Sequence, residues 1–180
     1  HLSNTIDDFR NFFSPNKEMN KFYLSQLIKK SKDLIKSRFD KFNIKVIENI
    51  DDIEILSYQN ELFQVILNLF SNSIDVLSSS QIENKIIYIK IYHDENNLYI
   101  EFLDNGGGIK DEFINRVFEP YFTTKHKSQG TGIGLYMSLQ IVTKHLNGEI
   151  SVKNDTFIEN NTAYFGAKFT ILLPIHLQKN

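Results

Sequence analysis

"KIIYIKIYHDENNLYIEFLDNGGG", residues 85–108, holds two runs rich in β-branched and aromatic residues around a polar "DENN" turn. It reads as two strands within 85–104 joined by a tight connection. The second strand ends on Asp104, and three of the chain's eight glycines follow it. Gly106, Gly107 and Gly108 supply backbone that can take positive φ and lets a ligand approach closely. Taken alone, the three glycines fit a flexible turn equally well, and Asp before Gly is ordinary turn chemistry.

Residues 60–78 upstream of these strands, "NELFQVILNLFSNSIDVLS", carry the longest apolar helical pattern in the chain. The segment 23–39 reads as another helix, with Leu24, Leu27, Ile28, Leu34 and Ile35 apolar. Residues 43–58 read as two strands joined at Asn49–Asp52. At the start of the chain, Leu2, Ile6, Phe9 and Phe13 form a short helical stripe that stops before Pro15. Downstream, "GTGIGLYMSLQIVTKHL" (130–146) reads as a helix with Thr131 as its N-cap. Two closing strands, "GEISVKN" (148–154) and "TAYFGAKFTILLP" (162–174), are expected with "DTFIENN" between them. Strands and helices mix without strict β-α-β alternation. The expected class is therefore α+β, a two-layer sandwich of a mixed, mostly antiparallel sheet with helices on one face.

Composition bounds the possible functions. The 180 residues are 41% hydrophobic and 13% aromatic, which suits one well-buried domain. A net charge of −2 gives no basis for non-specific binding to nucleic acid or an anionic membrane. The absence of Cys excludes disulfides, thiolate chemistry and Cys-based zinc sites. No apolar run approaches the roughly 20 residues that span a bilayer. The chain begins at His1 without a signal-peptide pattern and reads as a soluble fragment of a longer protein.

Within the helix 60–78, Gln64, Asn68, Asn72 and Asp75 recur at spacings of four, four and three, which puts them on one face. A stripe facing solvent satisfies the periodicity. So does one wall of a ligand site, because buried amides need partners and Asn oxygens are hard, neutral ligands suited to Mg²⁺. In "GTGIGL", Gly132 and Gly134 are placed in the first helical turn, where each costs about 1 kcal/mol relative to Ala. A phosphate resting on bare N–H groups would account for that, and so would a tightly packed loop-to-helix junction. Neither glycine cluster fits a Walker A loop or the dinucleotide fingerprint, and "DNGGGIKDEF" lacks the alternating acidic residues of an EF-hand.

Four motifs, "QVILNLFSNSIDVL", "DNGGGI", "VFEPYFTTK" and "GTGIGL", come in an order and spacing that resemble bacterial sensor histidine kinases. They match the N box, first glycine box, F box and second glycine box of that family, a branch of the Bergerat-fold (GHKL) ATP-binding superfamily. Each motif is weak alone, and four in order are specific. The resemblance runs from about Ser25 to Pro174, and the F box with Phe118, Pro120, Phe122 and Lys125 favours the kinase branch.

The resemblance implies ATP and Mg²⁺ as cofactors. By position, Asp104 would accept a hydrogen bond from the adenine amino group and Asn72 would ligate Mg²⁺. Asn68 would sit beside metal and phosphates, where hydrolytic relatives hold a general-base Glu. An amide cannot take up that proton, which favours transfer over hydrolysis. Gly106 and Gly108 would line the adenine pocket, while Gly130, Gly132 and Gly134 would cradle phosphates. Residues 109–131 would form a mobile lid packed down by Phe118 and Phe122, which fit plain core positions as well. Lys125 would reach the terminal phosphates, and a solvated loop lysine is its simpler reading. Asp75, Ile109, Thr124, Thr131, Ile133 and Leu135 complete the implied nucleotide contacts.

Residues 1–15 resemble the end of the second helix of the family's dimerisation hairpin, leaving 16–180 as the catalytic domain. The family's phosphoacceptor His is followed by an acidic residue or Gln, then by Arg and Pro. None of His1, His93, His126, His145 and His176 has that context. The implied partners are an acceptor-histidine helix outside this sequence, a response regulator and, in the parent, a second copy of the chain. The implied setting is cytoplasmic, in a parent compatible with an inner-membrane anchor. Two other readings stay open: a serine/threonine kinase of the anti-sigma type, and a nucleotide-binding regulatory module without transfer activity.

Overall fold

The computed structural model describes residues 18–125 and 130–175. The stripe 2–13, the hairpin assignment of residues 1–15, and His1, His126 and His176 lie outside the described residues. The elements are strand β1 (Asn20–Tyr23), helix α1 (Leu24–Phe42), strands β2 (Ile44–Ile50) and β3 (Glu54–Ser57), and helix α2 (Gln59–Ser79). Strands β4 (Lys85–His93) and β5 (Asn97–Asp104), the short helix α3 (Asp111–Ile114) and helix α4 (Gly134–Gln140) follow. A π-helical turn (Ile141–His145) extends α4 before strands β6 (Glu149–Glu159) and β7 (Thr162–Pro174).

Five strands form one sheet in the order β2-β4-β5-β7-β6. Only β2 and β4 run parallel, and the other three pairings are antiparallel. The α+β expectation holds. The residues 43–58 do form two strands, but they belong to different sheets. β2 pairs with β4, while β3 pairs with β1 in a separate two-stranded ribbon. Asp51–Ile53 break the extended run, and the chain changes partners there. The helix expected over 23–39 starts one residue later and runs on to Phe42. It stops where Asn43 takes a left-handed φ of 52° and its N–H bonds back to Asp40 and Phe39.

The closing hairpin also differs from expectation. "DTFIE" continues β6 as strand, because Phe157 is buried on the outer face of the sheet with Ile86 and Leu103. The turn is only Asn160–Asn161, with φ of 49° and 60°. Two consecutive positive-φ residues mark the tight turn that matches strand twist, and Asn tolerates it.

The core lies between the helices and one face of the sheet. Helix α2 buries Leu62, Val65, Ile66, Leu69, Phe70, Ile74 and Leu77, a stripe that repeats every three or four residues. Against it pack Ile87, Ile89 and Ile91 of β4, Ile100 and Phe102 of β5 and Ile171 of β7. Phe70 sits at the centre, edge-on to Phe39 at 5.4 Å and to Phe102 at 5.0 Å. Phe70→Ala is therefore expected to cost about 3–5 kcal/mol of folding stability. Urea unfolding checks this, and a loss below about 1 kcal/mol would show that the core does not close on this ring.

Candidate functional site

The ends of β5 and α2, the glycine loop, the segment 109–125 and the start of α4 enclose a cavity of about 610 Å³. At one end lies Asp104, the last residue of β5, only 4% exposed. Its Oδ1 accepts from the Gly106 N–H at 2.9 Å, and its Oδ2 accepts from Ser73 Oγ at 3.3 Å. Burial pushes the Asp104 carboxyl above the ordinary carboxylate range, and the N–H groups of Gly106 and Ala167 together with Ser73 pull it partly back. A carboxylate has room for about four hydrogen bonds, so acceptor capacity remains for a ligand.

Two devices hold the loop after Asp104. The next residue, Asn105, is buried and extends the strand ladder with its side chain: Oδ1 accepts from the Ile86 N–H at 2.8 Å and Nδ2 donates to the Asn84 carbonyl at 2.6 Å. Asn154 of β6 clamps Ile109 from both sides, accepting from its N–H at 2.8 Å and donating to its carbonyl at 2.7 Å. Between these anchors Gly107 and Gly108 take φ of 90° and 81°. A Cβ on Gly108 would meet Asn154 Oδ1 at 2.6 Å, so the clamp itself needs a glycine there.

The polar stripe of α2 faces this cavity, not bulk solvent. Asn68, Asn72 and Asp75 line it, and Gln64 lines an adjoining one. Asn68 Nδ2 donates to the buried Ser138 Oγ at 2.7 Å. Asn72 Nδ2 is buried without a hydrogen-bond partner. Asp75 takes Arg38 Nη2 at 2.8 Å and Lys125 Nζ at 2.6 Å.

Most of the residues expected at the site meet in this one cavity. Asn68, Asn72, Asp75, Asp104, Gly108, Ile109 and Phe122 line it, as do Thr124, Lys125, Gly130, Thr131, Gly132, Gly134 and Leu135. Three do not. Gly106 stands behind the wall, where a Cβ would collide with Val76. Phe118 packs into the core, edge-on to Phe169 at 6.2 Å. Ile133 faces the adjoining cavity. Lys125, expected at terminal phosphates, rests on Asp75.

The "GTGIGL" segment is corrected in two respects. Helix α4 begins at Gly134, so Thr131 is not its N-cap; the Thr131 hydroxyl accepts from the Ile133 N–H at 3.4 Å, outside the helix. Gly132 lies before the helix, with φ of 67°. A Cβ there would meet the Phe122 backbone at 2.7 Å, and its carbonyl accepts from the Tyr121 N–H at 2.9 Å. Gly134 is bare because the Asn68 amide occupies the place of a Cβ. These two glycines thus serve close packing of F box and N box on the second glycine box.

Sequence reasoning did not find Arg38, Ser73, Asn154 or Ser138. Arg38 sits among lysines in "KKSKDLIKSRFDK", where nothing separates it from a solvated charge. Only the packing of α1 on α2 brings it to Asp75, 37 residues away.

A family model described as histidine kinase-, DNA gyrase B-, and HSP90-like ATPase matches residues 57–177. Among curated proteins, sporulation kinase E of Bacillus subtilis is 32% identical over 155 residues, covering 85% of this chain and 19% of that protein. The chain spans about a fifth of the length of the curated relatives it matches. The catalytic domain of the histidine kinase ThkA, solved in a nucleotide-free form, aligns with a TM-score of 0.71 at 26% identity, covering 88% of this chain and 96% of that one. A second ThkA structure, in complex with the response regulator protein TrrA, shares the fold with a TM-score of 0.71 at 22% identity, over 99% of this chain and 49% of that one. With the four motifs folded around one cavity, the chain belongs to the histidine kinase-, DNA gyrase B-, and HSP90-like ATPase family and has the fold of a histidine kinase catalytic domain.

Proposed function

We propose that this chain is the nucleotide-binding, phosphoryl-donating domain of a sensor histidine kinase, acting on a histidine carried outside this sequence. One observation carries the reading. A buried carboxylate, Asp104, lines a 610 Å³ cavity whose other residues include two amides, Asn68 and Asn72, and the lysine Lys125. That arrangement suits a ligand with an amino-bearing base at one end and phosphates at the other.

In this reading Asp104 accepts from the adenine amino group while the Gly106 N–H and Ser73 fix its orientation. Ile109, Phe122, Leu135 and Phe169 flank the base as apolar walls. Gly130, Thr131 and Lys125 face the phosphates, and Lys125 exchanges Asp75 for a phosphate oxygen. The Asn72 amide is the candidate Mg²⁺ ligand. Its nitrogen is orphaned, and a half-turn of the amide puts an oxygen in that place. No group of three or more His, Cys, Asp or Glu residues is gathered among the described residues, which suits an ion held mainly by phosphate oxygens and water. Bound Mg²⁺ would neutralise charge on the transferring phosphoryl group. Asn68, pinned by Ser138, orients that group without taking up a proton.

The acceptor-histidine helix, a response regulator and a dimeric parent follow from the same reading, as does a cytoplasmic setting. It is supported by relatives named as sensor and sporulation kinases. Among the described residues no helix is long and apolar enough to cross a membrane. Incubation with Mg²⁺ and γ-labelled ATP tests the division of labour. The chain is expected to bind ADP and to acquire no label, and to label an added protein that carries the acceptor histidine. Label retained by this chain alone would overturn the proposal.

A further inference from the structure

Beyond Asn68 the main cavity adjoins a second one of about 420 Å³, between α1, α2 and α4. Asn68, Ser71, Thr131 and Gly134 line both. Asp104 lines only the first, so the shared wall is not the one that would hold the base. The second cavity is walled by apolar side chains such as Ile35, Leu67 and Met137, and among the described residues its one charged residue is Arg38.

Arg38 is held by two bonds. Nη2 donates to Asp75 Oδ1 at 2.8 Å and Nη1 donates to Ser71 Oγ at 2.9 Å. A guanidinium has five N–H donors in a rigid fork, so donors remain for a third partner. Asp75 is shared with Lys125, which leaves two cations on one carboxylate and an excess positive charge at the junction. Phosphate oxygens are the partners that such a fork recognises in two-point fashion.

We infer that Arg38 is a phosphate-binding residue, which meets the terminal phosphoryl group of a nucleoside triphosphate where the two cavities join. The inference rests on the nucleotide reading of the main cavity. Asp75 and Ser71 hold the fork in place. Lys125 serves the cavity side from the loop, and Arg38 serves the opposite side from a packed helix.

Calorimetric titration with ATP, ADP and AMP in the presence of Mg²⁺ tests the assignment on the unaltered chain and on Arg38→Gln. The variant is expected to lose about tenfold or more in ATP affinity while ADP and AMP change by less than about twofold. Equal losses for all three would reduce Arg38 to a structural support, and an unchanged ATP affinity would remove it from the site; either result overturns the inference. Failure of the unaltered chain to bind any of the three overturns the nucleotide reading and this inference with it. Should Arg38→Gln not unfold cooperatively, Arg38→Lys keeps the charge and the stem but not the fork. It is then expected to weaken ATP binding selectively, and full ATP affinity in that variant would count against the fork.

Discussion

Asp104→Asn is expected to weaken ATP binding severely while leaving the nucleotide-free fold intact. The substitution keeps shape, and the Asn oxygen can still accept the Gly106 N–H. Its amide NH₂, however, would face the adenine amino group, donor against donor. A buried site built to accept a hydrogen bond and then denied it loses several kcal/mol, so affinity should fall by about 100-fold or more. Stability should move the other way. Burial raises the folded-state pKa of this carboxyl above its unfolded value. Its contribution to stability is therefore fully present below the unfolded value and lost as pH rises through the folded one. At neutral pH the variant should melt no lower than the parent, and the stabilisation of the parent toward mild acid should be reduced. Calorimetry and thermal unfolding across pH check both halves. Retained affinity would remove Asp104 from the site, and a large drop in melting temperature would make its role structural.

Gly166→Ala should damage fold and site together. Gly166 lies in β7 beside the end of β5, and an added Cβ would fall on the Asp104 backbone carbonyl. The two nearest atoms it meets are backbone, with the Asp104 carbonyl carbon at 2.6 Å, and cannot swing aside; the Asp104 Oδ1 lies at 2.8 Å as well. Either the β5–β7 ladder opens or Asp104 shifts. A stability loss of about 3 kcal/mol is expected, at the upper end of overpacking costs. Nucleotide affinity should also fall under conditions where the variant is still folded. Urea unfolding paired with titration separates the two effects, and parental values in both would contradict this packing.

The larger elements were legible because their patterns are long. Helix α2 announced itself by an apolar stripe interrupted by Gln64, Asn68, Asn72 and Asp75, and β4–β5 by two β-rich runs around a polar turn. The ribbon of β1 with β3 was not legible, since four-residue strands carry almost no periodicity and their partners, such as Asn20 with Ser57 and Tyr23 with Glu54, lie far apart in the chain. Asp104 was legible as a carboxylate at a strand end before glycines. The reason for Gly134 was not, because it lies in the contact of two helices: the glycine is bare to admit Asn68. Asn154 was hidden similarly, in a strand whose pairing alone brings it 45 residues back to Ile109. Motif order located the site, and the supporting contacts came only from packing.

The central claim is that Asp104 reads the amino group of a nucleotide base in the 610 Å³ cavity. The most direct measurement compares the affinity of the unaltered chain for ATP and for purine riboside triphosphate, which differs only in lacking that amino group, both with Mg²⁺. ATP should bind about 100-fold tighter, with the preference gone in Asp104→Asn. Equal affinity of the unaltered chain for the two nucleotides would contradict the account.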